Sequence, residues 1–159
     1  MFTSHHAIAN ESGQALPEFA LVLPLLLVLL FGMLDFGKAF NYWIDTTQIT
    51  SEGARYAAVN RKPDPLDPLS LQQQLRGQGN TAELRDGGTD SIVAPASVCV
   101  EFPSGESKAG DPVLVRMTFV YHWLPFLGSH IDGLTDTTVS STATMRLEAV
   151  PTNYVVGCA

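Results

Sequence analysis

GQALPEFALVLPLLLVLLFGML, residues 13–34, is the stretch from which the rest of the chain is read. From Ala15 to Leu34 there are twenty residues with one formal charge, Glu18, and the uninterrupted apolar part, Phe19 to Leu34, is sixteen. At about 1.5 Å per helical residue, twenty residues reach about 30 Å, the hydrocarbon thickness of a bilayer, whereas sixteen fall short. The stretch therefore spans a membrane if Glu18 lies at or near an interface. A charge at the centre of a spanning helix costs about 2.5–3.5 kcal/mol by insertion scales, and less toward the ends. Glu18 is then either a carboxylate that favours the dipole of the first helical turn or a group with a task of its own.

Its surroundings bear on the choice. Gly13 lies five residues before Glu18, and Phe19 directly follows it. A glycine, four intervening residues, a glutamate and an aromatic, opening an apolar helix, resembles the leader-peptide site of type IV-like pilins. More of the chain fits the same family. GQALPEFALVLPLLLVLLFGMLDFGKAFNYW is similar to the N-terminus of the TadE-like family, minor pseudopilins of the Tad (Flp) pilus machinery. The shared features are Glu18-Phe19, the run LVLPLLL with Pro24, the exit DFGKAF at 35–40 and EGARYAA at 52–58. The resemblance covers about residues 12–60. The chain departs from the pattern in three places: Phe19 where major Flp pilins usually carry tyrosine, Pro17 just before the glutamate, and a leader without Lys or Arg.

The resemblance implies a leader of residues 1–13, removed by a prepilin peptidase between Gly13 and Gln14. Gln14 would become the first residue of the mature chain and Glu18 the fifth. It implies assembly roles for Glu18 and Phe19, with the lipid bilayer, the peptidase and other pilins or pilus assembly proteins as partners. It also implies a single-pass protein of the cytoplasmic membrane, pilus-associated, with its C-terminal domain extracytoplasmic.

Charge and leader composition narrow the classes further. A net charge of −7 with no Lys/Arg cluster argues against nucleic acid as a partner, since neutralising phosphates needs clustered cations. MFTSHHAIANESG, residues 1–13, has Glu11 as its only charged side chain. A secretory signal would have a basic start and a small-residue cleavage site after the apolar core, and FGMLD at 31–35 is a poor one. The positive-inside rule points the other way from the family. Lys38, Arg55, Arg61 and Lys62 outnumber Asp45 and Glu52 beyond the span, with Asp35 at the boundary, which taken literally places the C-terminal part in the cytoplasm. These charges lie on an amphipathic flank rather than in a cluster, so the resemblance is given the greater weight.

The helix is expected to continue as an amphipathic half over 35–61, after the transmembrane half at 14–34. Phe36, Phe40, Trp43, Ile44 and Thr47, then Ala54, Ala57 and Ala58, recur at three- and four-residue spacing and mark the face laid on the domain. Tyr42 and Trp43 are expected to face the domain rather than an interfacial aromatic belt. Pro24 allows a bend within the bilayer. Pro63, Pro65 and Pro68 end the helix and open a Pro/Gly-rich linker, 62–91, in which Ser70 caps a short helix closed by Gly77 and Gly79. DGGTD at 86–90 lacks the spacing and terminal glutamate of a calcium loop.

From residue 92 the period becomes two, and 92–159 reads as a β-sheet domain with a C-terminal tail. Val98, Val100 and Phe102 alternate with Cys99 and Glu101. After a PSGESKAGDP turn, Val113, Val115, Met117, Phe119, Tyr121 and Trp123 share a face, and Val139, Ala143, Met145 and Leu147 share another strand's face. Three such strands predict an antiparallel meander whose apolar face needs a cover, and the amphipathic half of the helix supplies it. The fold class is α+β, a pilin-like long N-terminal helix packed on a small antiparallel sheet.

Cys99 and Cys158 are able to pair in an oxidising compartment, closing a loop of about 60 residues worth about 4 kcal/mol in the chain-entropy model; the alternative is two free thiols. A bond would pin the last ten residues over the sheet's outer face.

Nothing in the sequence supports catalysis, a cofactor or a metal. His5 and His6 fall in the leader, and His122 and His130 have no cysteine or acidic neighbour at ligand spacing. No nucleophile elbow, P-loop or dinucleotide fingerprint occurs. Two functions remain: a minor pseudopilin working through its N-terminal helix, or a simple bitopic protein whose extracytoplasmic β domain binds a partner.

Overall fold

The computed structural model describes residues 15–124 and 136–159. The leader, Gly13, Gln14 and His130 lie outside the described residues. The chain divides after Leu34 into two compact units.

Helix α1, Ala15–Ala58, is 44 residues long and continues through Pro24. As far as Leu34 it carries large apolar side chains on every side, and all of them are exposed. A helix that is apolar all round needs an apolar surrounding. Among the described residues α1 is the one helix long and apolar enough to cross a membrane.

The second unit begins at Asp35. Beyond α1 it contains α2 (Leu71–Gly77), α3 (Ala82–Asp86) and strands β1 (Ser97–Glu101), β2 (Pro112–His122), β3 (Asp136–Arg146) and β4 (Gly157–Cys158). The sheet order is β3-β2-β1-β4 with every neighbour antiparallel, so the expected meander is present and a two-residue strand is added at its β1 edge. Alternation along β2 buries Val113, Val115, Met117, Phe119 and Tyr121 on one face. Val98 and Val100 of β1 continue that face.

The helix covers the sheet through the expected Ala54, Ala57 and Ala58, all buried, but through a different face before them. Phe36, Phe40, Trp43 and Ile44 are exposed, and the buried stripe is Asp35, Ala39, Tyr42, Thr46, Ile49, Thr50, Gly53 and Ala57. Tyr42 does face the domain, against Phe119 and Tyr121, while Trp43 does not. The reason is size and satisfied polarity. Thr46 and Thr50 donate their hydroxyls to the carbonyls of Tyr42 (3.1 Å) and Thr46 (2.9 Å), so they bury without an orphaned group. Gly53 then lets the sheet close in: a Cβ there would meet Leu75 Cδ1 at 2.7 Å and Val115 Cγ1 at 3.2 Å. Apolar periodicity alone does not detect a face built from Ala, Thr and Gly.

α1 ends in a Schellman turn. Asn60 takes the left-handed conformation (φ 53°), Asn60 N–H donates to Ala57 O (3.1 Å) and Arg61 N–H to Tyr56 O (2.9 Å). Residues 62–91 then contribute to the core. Ser70 and Gln73 form a capping box at the start of α2, and Leu71, Leu75, Leu84 and Ile92 are fully buried.

Candidate assembly helix and its anchorage

Glu18 stands in the first turn of α1, and it and Phe19 are both exposed. Phe19 opens a surface that continues through Leu21, Leu25, Leu29 and Met33, all more than half exposed. Chemically, the helix presents one carboxylate followed by four turns of apolar surface.

Where the second unit starts, three groups hold the helix. The Asp35 carboxylate is buried and accepts from Tyr121 Oη (2.5 Å) and from the Leu124 N–H (2.7 Å). Burial, reinforced by the neighbouring Asp35 carboxylate, pushes the Tyr121 phenol well above its ordinary range. Nearly three turns on, Asp45 accepts from the Asn80 N–H (2.8 Å) and from Asn80 Nδ2 (2.9 Å). At mid-sheet the Thr50 and Ser141 hydroxyls lie 3.2 Å apart. The far end is tied by the tail. Tyr154 Oη donates to Ala57 O (2.9 Å), the Glu148 N–H donates to Ala58 O (2.8 Å), and Asn60 Oδ1 accepts from the Thr152 and Asn153 N–H groups (both 2.9 Å). Burial pushes the Tyr154 phenol up to about 12.

Cys99 and Cys158 are joined by a disulfide, with their Cα atoms 4.0 Å apart and the two residues facing each other in the β1–β4 ladder. The tail does not lie over the outer face. Its end extends the sheet edge, where Val98 N–H donates to Ala159 O (2.9 Å) and Ala159 N–H to Val98 O (3.0 Å). The reason is register: with Cys158 opposite Cys99, the adjoining backbone groups fall into ladder geometry.

His122 does have an acidic neighbour, which sequence spacing could not reveal. The β2–β3 register sets it opposite Asp136, with Nδ1 at 2.5 Å from Oδ1. Among the described residues no three His, Cys, Asp or Glu side chains gather as a metal site. An open hollow of about 630 Å³ is lined by Tyr56, Arg61, Lys62, Pro63, Pro65, Thr152 and Asn153.

The model of the family described as TadE-like protein matches residues 13–55. No curated protein and no solved structure matches the chain. The matched segment starts at the glycine before α1, takes in Glu18-Phe19 and Pro24, and ends inside the stretch whose small residues meet the sheet. Over these residues, 13–55, the chain is similar to the TadE-like family.

Proposed function

We propose that the protein is a minor pseudopilin of a Tad (Flp) pilus system and not an enzyme, inserted by α1, cut after Gly13 by a prepilin peptidase and used in pilus assembly. The observation that carries this reading is the family match, which begins at Gly13 and includes Glu18-Phe19 at the head of an exposed apolar helix. Cleavage frees the α-amino group of Gln14. In a bundle of such helices, Glu18 pairs with that amine, its own or a neighbour's, and sets the register as a buried polar group does in a coiled coil. The disulfide favours an extracytoplasmic domain, because such bonds persist in oxidising compartments.

Glu18→Gln tests the reading. As a mere helix cap the residue contributes within about 1 kcal/mol, and the variant would behave as wild type. As half of a buried pair its loss costs about 3–5 kcal/mol. The variant is expected to insert and be cleaved normally, yet fail to co-purify with the other pilus components. Equal recovery of cleaved wild-type and variant protein would remove Glu18 from assembly and favour a plain bitopic anchor.

A further inference from the structure

The exposed aromatic side chains at the start of the second unit form one continuous patch. Phe36 stacks on Phe40 (centroids 6.5 Å apart) and on Trp123 (6.3 Å), and Phe40 packs on Trp43 (5.6 Å). Phe36 is 64% exposed, Phe40 49% and Trp43 46%. The Trp123 indole N–H is satisfied by Thr137 Oγ1 at 2.7 Å. On a soluble surface such a patch has no cover.

We propose that this patch lies at the boundary between the hydrocarbon and the headgroups of the membrane that α1 crosses, as a lipid-binding surface of the folded domain. The inference rests on the membrane reading of α1. Two observations name lipid as the occupant. The first is length. The uncharged run Phe19–Leu34 reaches only about 24 Å, about four residues short of a 30 Å hydrocarbon layer. The next four residues carry the helix past Phe36 to Lys38. Phe40 and Trp43 then follow about 3 and 8 Å further on, within the headgroup layer that amphipathic rings favour.

The second observation is the fate of Asp35, the first acid after the run. Turned outward it would put a carboxylate at the edge of the hydrocarbon. It is instead 8% exposed, its oxygens bonded to Tyr121 Oη and the Leu124 N–H. The surface left outside at that level is aromatic, with Lys38 long enough to carry its ammonium to the phosphates.

The protein has two tryptophans, Trp43 and Trp123, and both are in the patch. Full-length protein is reconstituted in phosphatidylcholine vesicles, as wild type and as the Trp43→Phe and Trp123→Phe variants, each reporting the other indole. Resistance to alkaline carbonate extraction is scored first. Brominated phosphatidylcholines then read depth. Lipids brominated near the headgroup are expected to quench both indoles at least about twofold more than lipids brominated near the chain end, with emission blue-shifted from that of water-exposed tryptophan. Carbonate-extractable protein would overturn the membrane reading, and the patch proposal with it. Carbonate-resistant protein whose indoles are quenched by aqueous iodide and not by brominated lipid would overturn the patch proposal alone. So would indoles shielded from both quenchers only at high protein-to-lipid ratio, which would assign the patch to a second copy of the chain.

Discussion

The two halves of α1 share one backbone helix and have opposite side-chain logic. Residues 15–34 are nearly all Leu, Val, Phe, Ala and Pro, and the large ones are exposed. Residues 35–58 bury a stripe of Asp, Ala, Tyr, Thr, Ile and Gly, and leave Phe36, Phe40 and Trp43 outside. Large apolar side chains therefore mark the exposed surface, and small or internally bonded ones, with Tyr42 and Ile49, mark the surface packed on the sheet. The usual equation of apolar with buried holds for the sheet and fails for Phe36, Phe40 and Trp43 of the helix.

Breaking the anchorage at Asp35 is expected to have the largest effect on the second unit. Asp35→Leu removes a carboxylate that accepts two hydrogen bonds, and such bonds to a charged group are worth about 1.5–3 kcal/mol each. Tyr121 retains the Asp35 carbonyl, at 3.2 Å. Denaturant unfolding of the full chain in detergent should show a loss of about 3–6 kcal/mol; a change below half of that would mean the contact is not a structural tie.

A matched pair of glycines sharpens the contrast between the halves. A Cβ at Gly32 meets nothing within 4 Å, whereas at Gly53 it meets Leu75 and Val115. Gly53→Val should destabilise the second unit by the overpacking range, about 1–3 kcal/mol, and Gly32→Val should leave its unfolding unchanged. Equal effects at the two positions would contradict the assignment of the sheet-facing stripe.

The smallest effect concerns alkali. Tyr154 has its phenol raised to about 12 by burial, so its neutral form is favoured by folding. Its contribution is fully present below the unfolded phenol value of about 10 and is lost as pH rises from there through about 12. The melting temperature should fall across that window, and less steeply in Tyr154→Phe. An identical slope in the variant would rule this tyrosine out as a source.

Much of this architecture was legible because its signals are large: a twenty-residue apolar run, three prolines after the helix, and alternating Val, Met and Phe along β1 and β2. The capping box at Ser70 was half visible, as Ser70 reads as a cap before a short helix. What could not be read were elements too small to carry a period. β4 is two residues long, and α3 is five with no side-chain hydrogen bond from Thr81 at its cap. The helix face on the sheet was read correctly at Ala54, Ala57 and Ala58 and misassigned by about one residue before them, because Thr46, Thr50 and Gly53 bury by hydroxyl back-bonding and close approach rather than by hydrophobicity. Of the candidate site, the aromatic patch depends on Trp123 reaching the helix from the end of β2, a contact between distant segments that spacing does not encode.

The central claim is that α1 is processed at its head and carries an oxidised domain at its other end. Intact mass of the protein extracted from its native membrane, without reductant, tests both at once. The expected species begins at Gln14, has 159 − 13 = 146 residues and retains the Cys99–Cys158 bond. A chain beginning at Met1, in cells with an active Tad system, or a chain with two free thiols, would contradict the account.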